Sequence, residues 1–199
     1  MDMYGKSILK RFVMLAVAMV TTIALLATSA LATEPEGSQV AITGGSLSGG
    51  DISFTNFTAV ELDGTKKTTT ATWTIGDVVD ARGTGAGWNT TLQLTQFKEW
   101  LVDVYVTDGR TLATGSVTVT TAPSLTEVDE TSSLASDITV IAVETALDTM
   151  APVKLLISDS DEGMGSYTVT DMTVTLNLPA SVHAGTYKTD ATVALVTGP

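Results

Sequence analysis

Few side chains in this chain have the types and spacing that chemistry requires. His183 is the sole histidine and there is no cysteine, so a zinc hydrolase set of His and Cys ligands is impossible. No Gly-x-Ser-x-Gly elbow accompanies His183. It lies in a Pro-Ala-Ser-Val-His-Ala-Gly run and reads as a surface-loop histidine. The densest acidic cluster, Asp159-Ser160-Asp161-Glu162-Gly163, resembles a fragment of a calcium loop. It lacks the further oxygen ligands and the distal Glu of a complete one, so it reads as a solvated hairpin turn. No catalytic residue, metal site or cofactor is expected.

Recognition chemistry has better candidates. Trp73, Trp88 and Trp100 are the only tryptophans, and an exposed indole can stack on the flat face of a sugar. Trp73 lies in the alternating run Thr70-Ala71-Thr72-Trp73-Thr74-Ile75 and reads as core. Trp88 leaves a glycine-rich turn and fits a ligand platform as well as a core position. Trp100 also fits either. In the turn before Trp88, Gly83, Gly85 and Gly87 permit positive φ and close backbone approach, and Arg82 can brace Asp80 as a charge pair. The turn lacks the Lys-Ser/Thr ending and following helix of a phosphate loop. It reads as a structural corner rather than an anion site.

Strands must position these residues. Period-two alternation recurs at residues 70–75, 91–94, 116–120, 167–178 and 187–196, with Thr, Val and Ile suited to pleated, half-buried surfaces. Gly, Asp and Pro clusters separate the runs. Helical periodicity is nearly absent, with one turn at most at residues 96–101. Residues 121–136 read as the most loop-like stretch. The pattern predicts an all-β chain with a single antiparallel β-sandwich domain over residues 51–199. Residues 33–50 read as a flexible segment carrying one edge strand at Val40-Ala41-Ile42.

The N-terminus has the three parts of a secretory signal. Lys6, Lys10 and Arg11 precede an apolar run at residues 12–26, and Ala30-Leu31-Ala32 offers a cleavage site after Ala32. The strictly apolar run is shorter than the about 20 residues of a membrane anchor. Residues 1–32 are therefore read as a signal peptide, giving an exported protein without stable membrane insertion. No sorting motif follows, so retention at the surface is expected to be non-covalent. That segment holds 3 of the 10 basic and 1 of the 22 acidic residues, which leaves 7 basic and 21 acidic groups and a formal charge of −14. Such a balance excludes nucleic acid and anionic lipid as partners, since both need a basic face.

Two stretches carry a family resemblance. One is Asp77-Val78-Val79-Asp80-Ala81-Arg82-Gly83-Thr84-Gly85-Ala86-Gly87-Trp88. The other is Gly163-Met164-Gly165-Ser166-Tyr167, followed by Leu178-Pro179-Ala180 and Ala184-Gly185-Thr186-Tyr187. In order and spacing they resemble the WxL family of bacterial cell-surface domains, over most of residues 52–199. Thr90 stands where the first motif has Leu. Val193 stands where the second has Trp, while Leu195 is kept. The resemblance implies a non-catalytic surface protein attached non-covalently to the cell wall through peptidoglycan or a related glycan. The expected contact face is Trp88, Asp80, Arg82, Gly83, Gly85 and Gly87. Other surface proteins are further possible partners. The alternative is a self-assembling fibre or coat subunit, in which an apolar N-terminal segment pairs with a neighbour's open sheet edge.

Overall fold

A computed structural model describes residues 39–199; the predicted signal segment lies outside them. Two units are distinguished, Met1–Ile42 and Thr43–Pro199. In the first, the described residues 39–42 have no regular structure, and Val40 and Ile42 are 80% and 90% exposed. The expected edge strand at Val40-Ala41-Ile42 is thus absent; the first strand lies at Leu47–Gly49.

The Thr43–Pro199 unit is all β. Its strands are β1 (Leu47–Gly49), β2 (Ile52–Ser53), β3 (Lys67–Ile75), β4 (Val78–Asp80), β5 (Trp88–Leu94), β6 (Lys98–Leu101), β7 (Val104–Tyr105) and β8 (Val117–Thr121). They continue as β9 (Leu125–Glu127), β10 (Thr139–Val140), β11 (Val153–Ser158), β12 (Gly165–Val169), β13 (Met172–Leu178), β14 (Tyr187–Lys188) and β15 (Ala191–Thr197). A single 3-10 turn spans Ala135–Asp137. Two expectations change here. Lys98–Leu101 is a strand rather than a helical turn, and the loop-like stretch at residues 121–136 contains β9.

Strand order explains the sandwich. One sheet runs β1-β4-β12-β9 and another β2-β3-β13-β8. β3 runs into β4 through Gly76-Asp77, and β13 follows β12 after Thr170-Asp171. Backbone bonds bridge the joints: Gly76 N–H donates to Asp51 O at 2.7 Å and Thr170 N–H to Ser124 O at 2.9 Å. The two sheets are therefore halves of one long, bent four-stranded sheet. The opposing sheet is β10-β11-β5-β15. Every pairing is antiparallel. A third, small sheet, β14-β6-β7, lies apart from the pairing of both.

Alternation along each strand decides which side chains enter the core. In β3, Thr69, Ala71, Trp73 and Ile75 are buried, while Thr68, Thr70, Thr72 and Thr74 face solvent. Met172, Val174 and Leu176 of β13 meet them from the neighbouring strand. Val117 and Val119 extend this layer, and Leu92, Leu94 and Leu156 supply the opposing one. Each such side chain contributes about 1.5–3 kcal/mol when fully buried. With no disulfide available, this core carries the fold.

Candidate functional site

The Asp80–Trp88 turn is a latch between the sheets. Asp80 ends β4 and is 2% exposed. Arg82 grips its carboxylate with two prongs, Nε to Oδ1 at 2.9 Å and Nη2 to Oδ2 at 2.7 Å. The same guanidinium donates to Gly87 O and to Thr197 Oγ1 of β15, each at 2.8 Å. The Arg82 hydrogen bonds hold the Asp80 carboxyl below the usual carboxylate range, and Asp80 in turn raises Arg82. This is a charge-assisted, geometrically specific brace. All three guanidinium nitrogens donate to protein atoms.

The latch closes over Trp88, which is 0% exposed. Its indole N–H donates to Gly163 O at 2.9 Å, and its ring packs on Tyr167 with centroids 6.4 Å apart. The Tyr167 hydroxyl reaches Ser133 O at 2.9 Å. Residues 159–165 cover the indole, held by Asp161 N–H donating to Gly85 O at 2.8 Å. Two glycines make this approach possible. Gly87 has φ +66°, and a Cβ there would lie 2.5 Å from Ser158 O. Gly163 has φ +65°, and a Cβ would collide with Ser158 Oγ. The acidic run 159–163 is thus the lid of a packed corner.

The six residues expected to form a contact face are brought together, but as internal structure. Asp80, Gly85, Gly87 and Trp88 are buried and Arg82 is half-buried; only Gly83 is exposed. The Trp88 indole offers no free face for a sugar.

The register places the two motif regions side by side. β5 and β15 pair so that Trp88 lies opposite Thr197, Thr90 opposite Leu195, and Leu92 opposite Val193. Thr90 and Leu195, the two Leu positions of the paired motif, are therefore direct cross-strand neighbours. Thr90 is fully buried and its hydroxyl has no hydrogen-bond partner. Burying such a hydroxyl costs about 1–3 kcal/mol. Thr90→Val keeps the shape and removes the orphan oxygen, so a rise of about 1 kcal/mol in unfolding free energy is expected from urea titration. A lower midpoint in urea would mean that the hydroxyl has a stabilising partner.

A second feature gathers Trp73, Trp100, His183 and the Ala184-Gly185-Thr186-Tyr187 stretch, which the sequence does not mark as one site. A cleft of about 1080 Å³ opens between the irregular segment 54–62, the end of β13 and the segment 182–191. Phe54, Phe57, Trp100 and Tyr187 supply aromatic surface, with the buried Trp73 at the floor. Phe54 and Phe57 stand edge-on to Trp73, with centroids 5.0 and 6.2 Å away. Trp100 belongs to the small sheet, with Tyr105 edge-on at 4.7 Å and the Lys188 ammonium 4.1 Å from its ring centroid. Burial, with the Asp190 carboxylate close by, pushes the Tyr105 hydroxyl up to about 12, and that hydroxyl has no hydrogen bond of good geometry. His183 sits exposed on the rim, and its carbonyl accepts from the Tyr187 hydroxyl at 3.1 Å. The sequence signal for the cleft was Phe54, Phe57 and Trp100 lying outside the strong strand runs.

Comparison with curated proteins and with solved structures finds no match. The family described as "WxL domain surface cell wall-binding" matches residues 33–199, which takes in the latch, both motif positions and the cleft. With that match over more than half of its length, the chain belongs to the WxL domain family.

Proposed function

We propose that the mature chain is a non-catalytic surface protein that attaches non-covalently to the cell wall, through peptidoglycan or a related surface glycan. The family match over residues 33–199 carries this reading. Two physical features support it. A formal charge of −14 over residues 33–199, from 7 basic and 21 acidic groups, disfavours polyanionic partners. The latch also gives the domain a rigid frame without disulfides, as an exported protein without cysteine requires. Asp80, Arg82, Gly85, Gly87 and Trp88 act as positioning residues in this reading, because they are packed or hydrogen-bonded within the domain. Assembly by strand exchange has one observation in its favour, that β15 is a sheet edge. Repulsion between copies of this charge opposes it.

A sedimentation assay tests the reading. The chain beginning at Thr33, mixed with purified sacculi, is expected to pellet with them and to return to the supernatant after the glycan is digested with a muramidase. A protein that stays soluble in the presence of intact sacculi rejects wall attachment.

A further inference from the structure

We infer that the aromatic cleft beside residues 54–62 is the ligand site, and that it takes a neutral, N-acetylated amino-sugar glycan. This rests on the wall-attachment reading above and supplies the site that the buried Trp88 cannot.

Three observations converge. The first is shape. At about 1080 Å³ the cleft is just above the about 300–1,000 Å³ typical of ligand sites. Its walls combine the irregular segments 54–62 and 182–186 with strand residues such as Trp73, Leu94 and Trp100, so connecting segments, where binding residues concentrate, meet a fixed frame. Segment 54–62 has no regular structure and is tied to β3 chiefly by side-chain bonds, Thr55 Oγ1 to Thr72 O and Thr69 Oγ1 to Thr58 O, each at 2.7 Å. The second is surface chemistry. Phe54 is 43% exposed, and Phe57, Trp100 and Tyr187 are partly open. Aromatic faces accept the C–H side of a pyranose ring, and apolar sockets between them accept an acetamido methyl. Thr58, Thr186, Thr189 and Asp190 at the cleft offer hydroxyl and carboxylate partners for the sugar edges.

The third is charge. Lys188 and His183 are the only basic side chains lining the cleft, and Lys188 is engaged on Trp100. A teichoic-type polyanion would meet a strongly acidic protein with almost no basic counterpart. An acyl chain would meet a rim crossed by hydroxyls, a carboxylate and an ammonium. A neutral glycan with acetamido groups conflicts with neither surface.

The test uses the chain beginning at Thr33 and the probe N,N′,N″-triacetylchitotriose. Trp73 and Trp100 line the cleft, so their fluorescence reports occupancy. A saturable shift is expected with wild type. Phe54→Ala removes an exposed ring, and Ala184→Trp places bulk at an exposed rim position. Each is expected to weaken the probe about tenfold or more and to reduce sedimentation with sacculi, with near-UV circular dichroism unchanged. Sacculus binding at the wild-type level in both variants overturns the cleft as the site while leaving wall attachment intact. Saturable binding of a lauroyl chain or of a stem peptide, with none of the sugar, overturns the ligand class. Failure of wild type to sediment rejects the wall reading itself.

Discussion

Trp88→Ala is expected to lower the unfolding free energy by about 3–5 kcal/mol, the range for removing a buried tryptophan or phenylalanine from a packed core. The indole is fully buried, packs on Tyr167 and donates to Gly163 O. Its removal leaves a cavity where residues 159–165 meet β5, and it orphans a buried carbonyl. Against a total stability of about 5–15 kcal/mol, the variant stands close to unfolding. Urea titration followed by circular dichroism measures the loss directly. Trp88→Phe keeps most of the volume and gives up the hydrogen bond, so a loss of only about 1–2 kcal/mol is expected. That variant separates structure from recognition. A folded Trp88→Phe protein should still sediment with sacculi; one that folds normally and fails to sediment would assign the indole to the ligand.

Arg82→Met is expected to destabilise by about 3 kcal/mol at neutral pH. Removing one partner of a buried pair leaves the other as an uncompensated charge. Asp80 is 2% exposed, and the Arg82 side chain keeps only a small part of its surface open. The substitution also removes the Arg82 bonds to Thr197 Oγ1 and Gly87 O, which leaves the Gly198 N–H to Gly87 O bond at 3.0 Å to hold the turn to the end of β15. The pH dependence has a definite sign. The folded pKa of Asp80 is lowered relative to an unperturbed carboxyl. Its contribution is therefore fully present above about pH 4, the unfolded value, and is lost as pH falls through the folded value. In Arg82→Met the same carboxyl is buried without its cation, so its pKa rises and acid relieves the strain. The gap between wild type and variant should narrow from pH 7 toward pH 4. A gap of constant size would show that the pair contributes no net electrostatic stability.

Much of the scaffold was legible in the chain. Alternation in residues 70–75 and 116–120 marks strands and their buried faces, Trp73 in the core among them. The Asp80–Arg82 pair and the glycine turn are also readable, because opposite charges two residues apart lie within each other's reach. Long alternating runs were less exact. Residues 167–178 form two strands with a break at Thr170-Asp171, and the buried positions change there from Tyr167 and Val169 to Met172, Val174 and Leu176, a shift of one residue in the alternation. Residues 96–101 resembled a helical turn because a four-residue strand is too short for its period to register.

The fate of Trp88 and the location of the cleft were a different kind of question. Composition, the all-β class, the acidic balance and the glycine turn follow from local rules, in which each residue answers to its near neighbours. Periodicity says which face a side chain takes; it does not say what covers that face. Trp88 is buried because residues 75 positions further along fold over it and offer Gly163 O to its N–H. The cleft exists because segments around Phe54, Trp100 and Tyr187 converge from three distant parts of the chain. The signature turn thus marks where the sandwich is locked, and the open aromatic surface lies where the irregular segment 54–62 meets the small sheet and the Ala184-Gly185-Thr186-Tyr187 stretch.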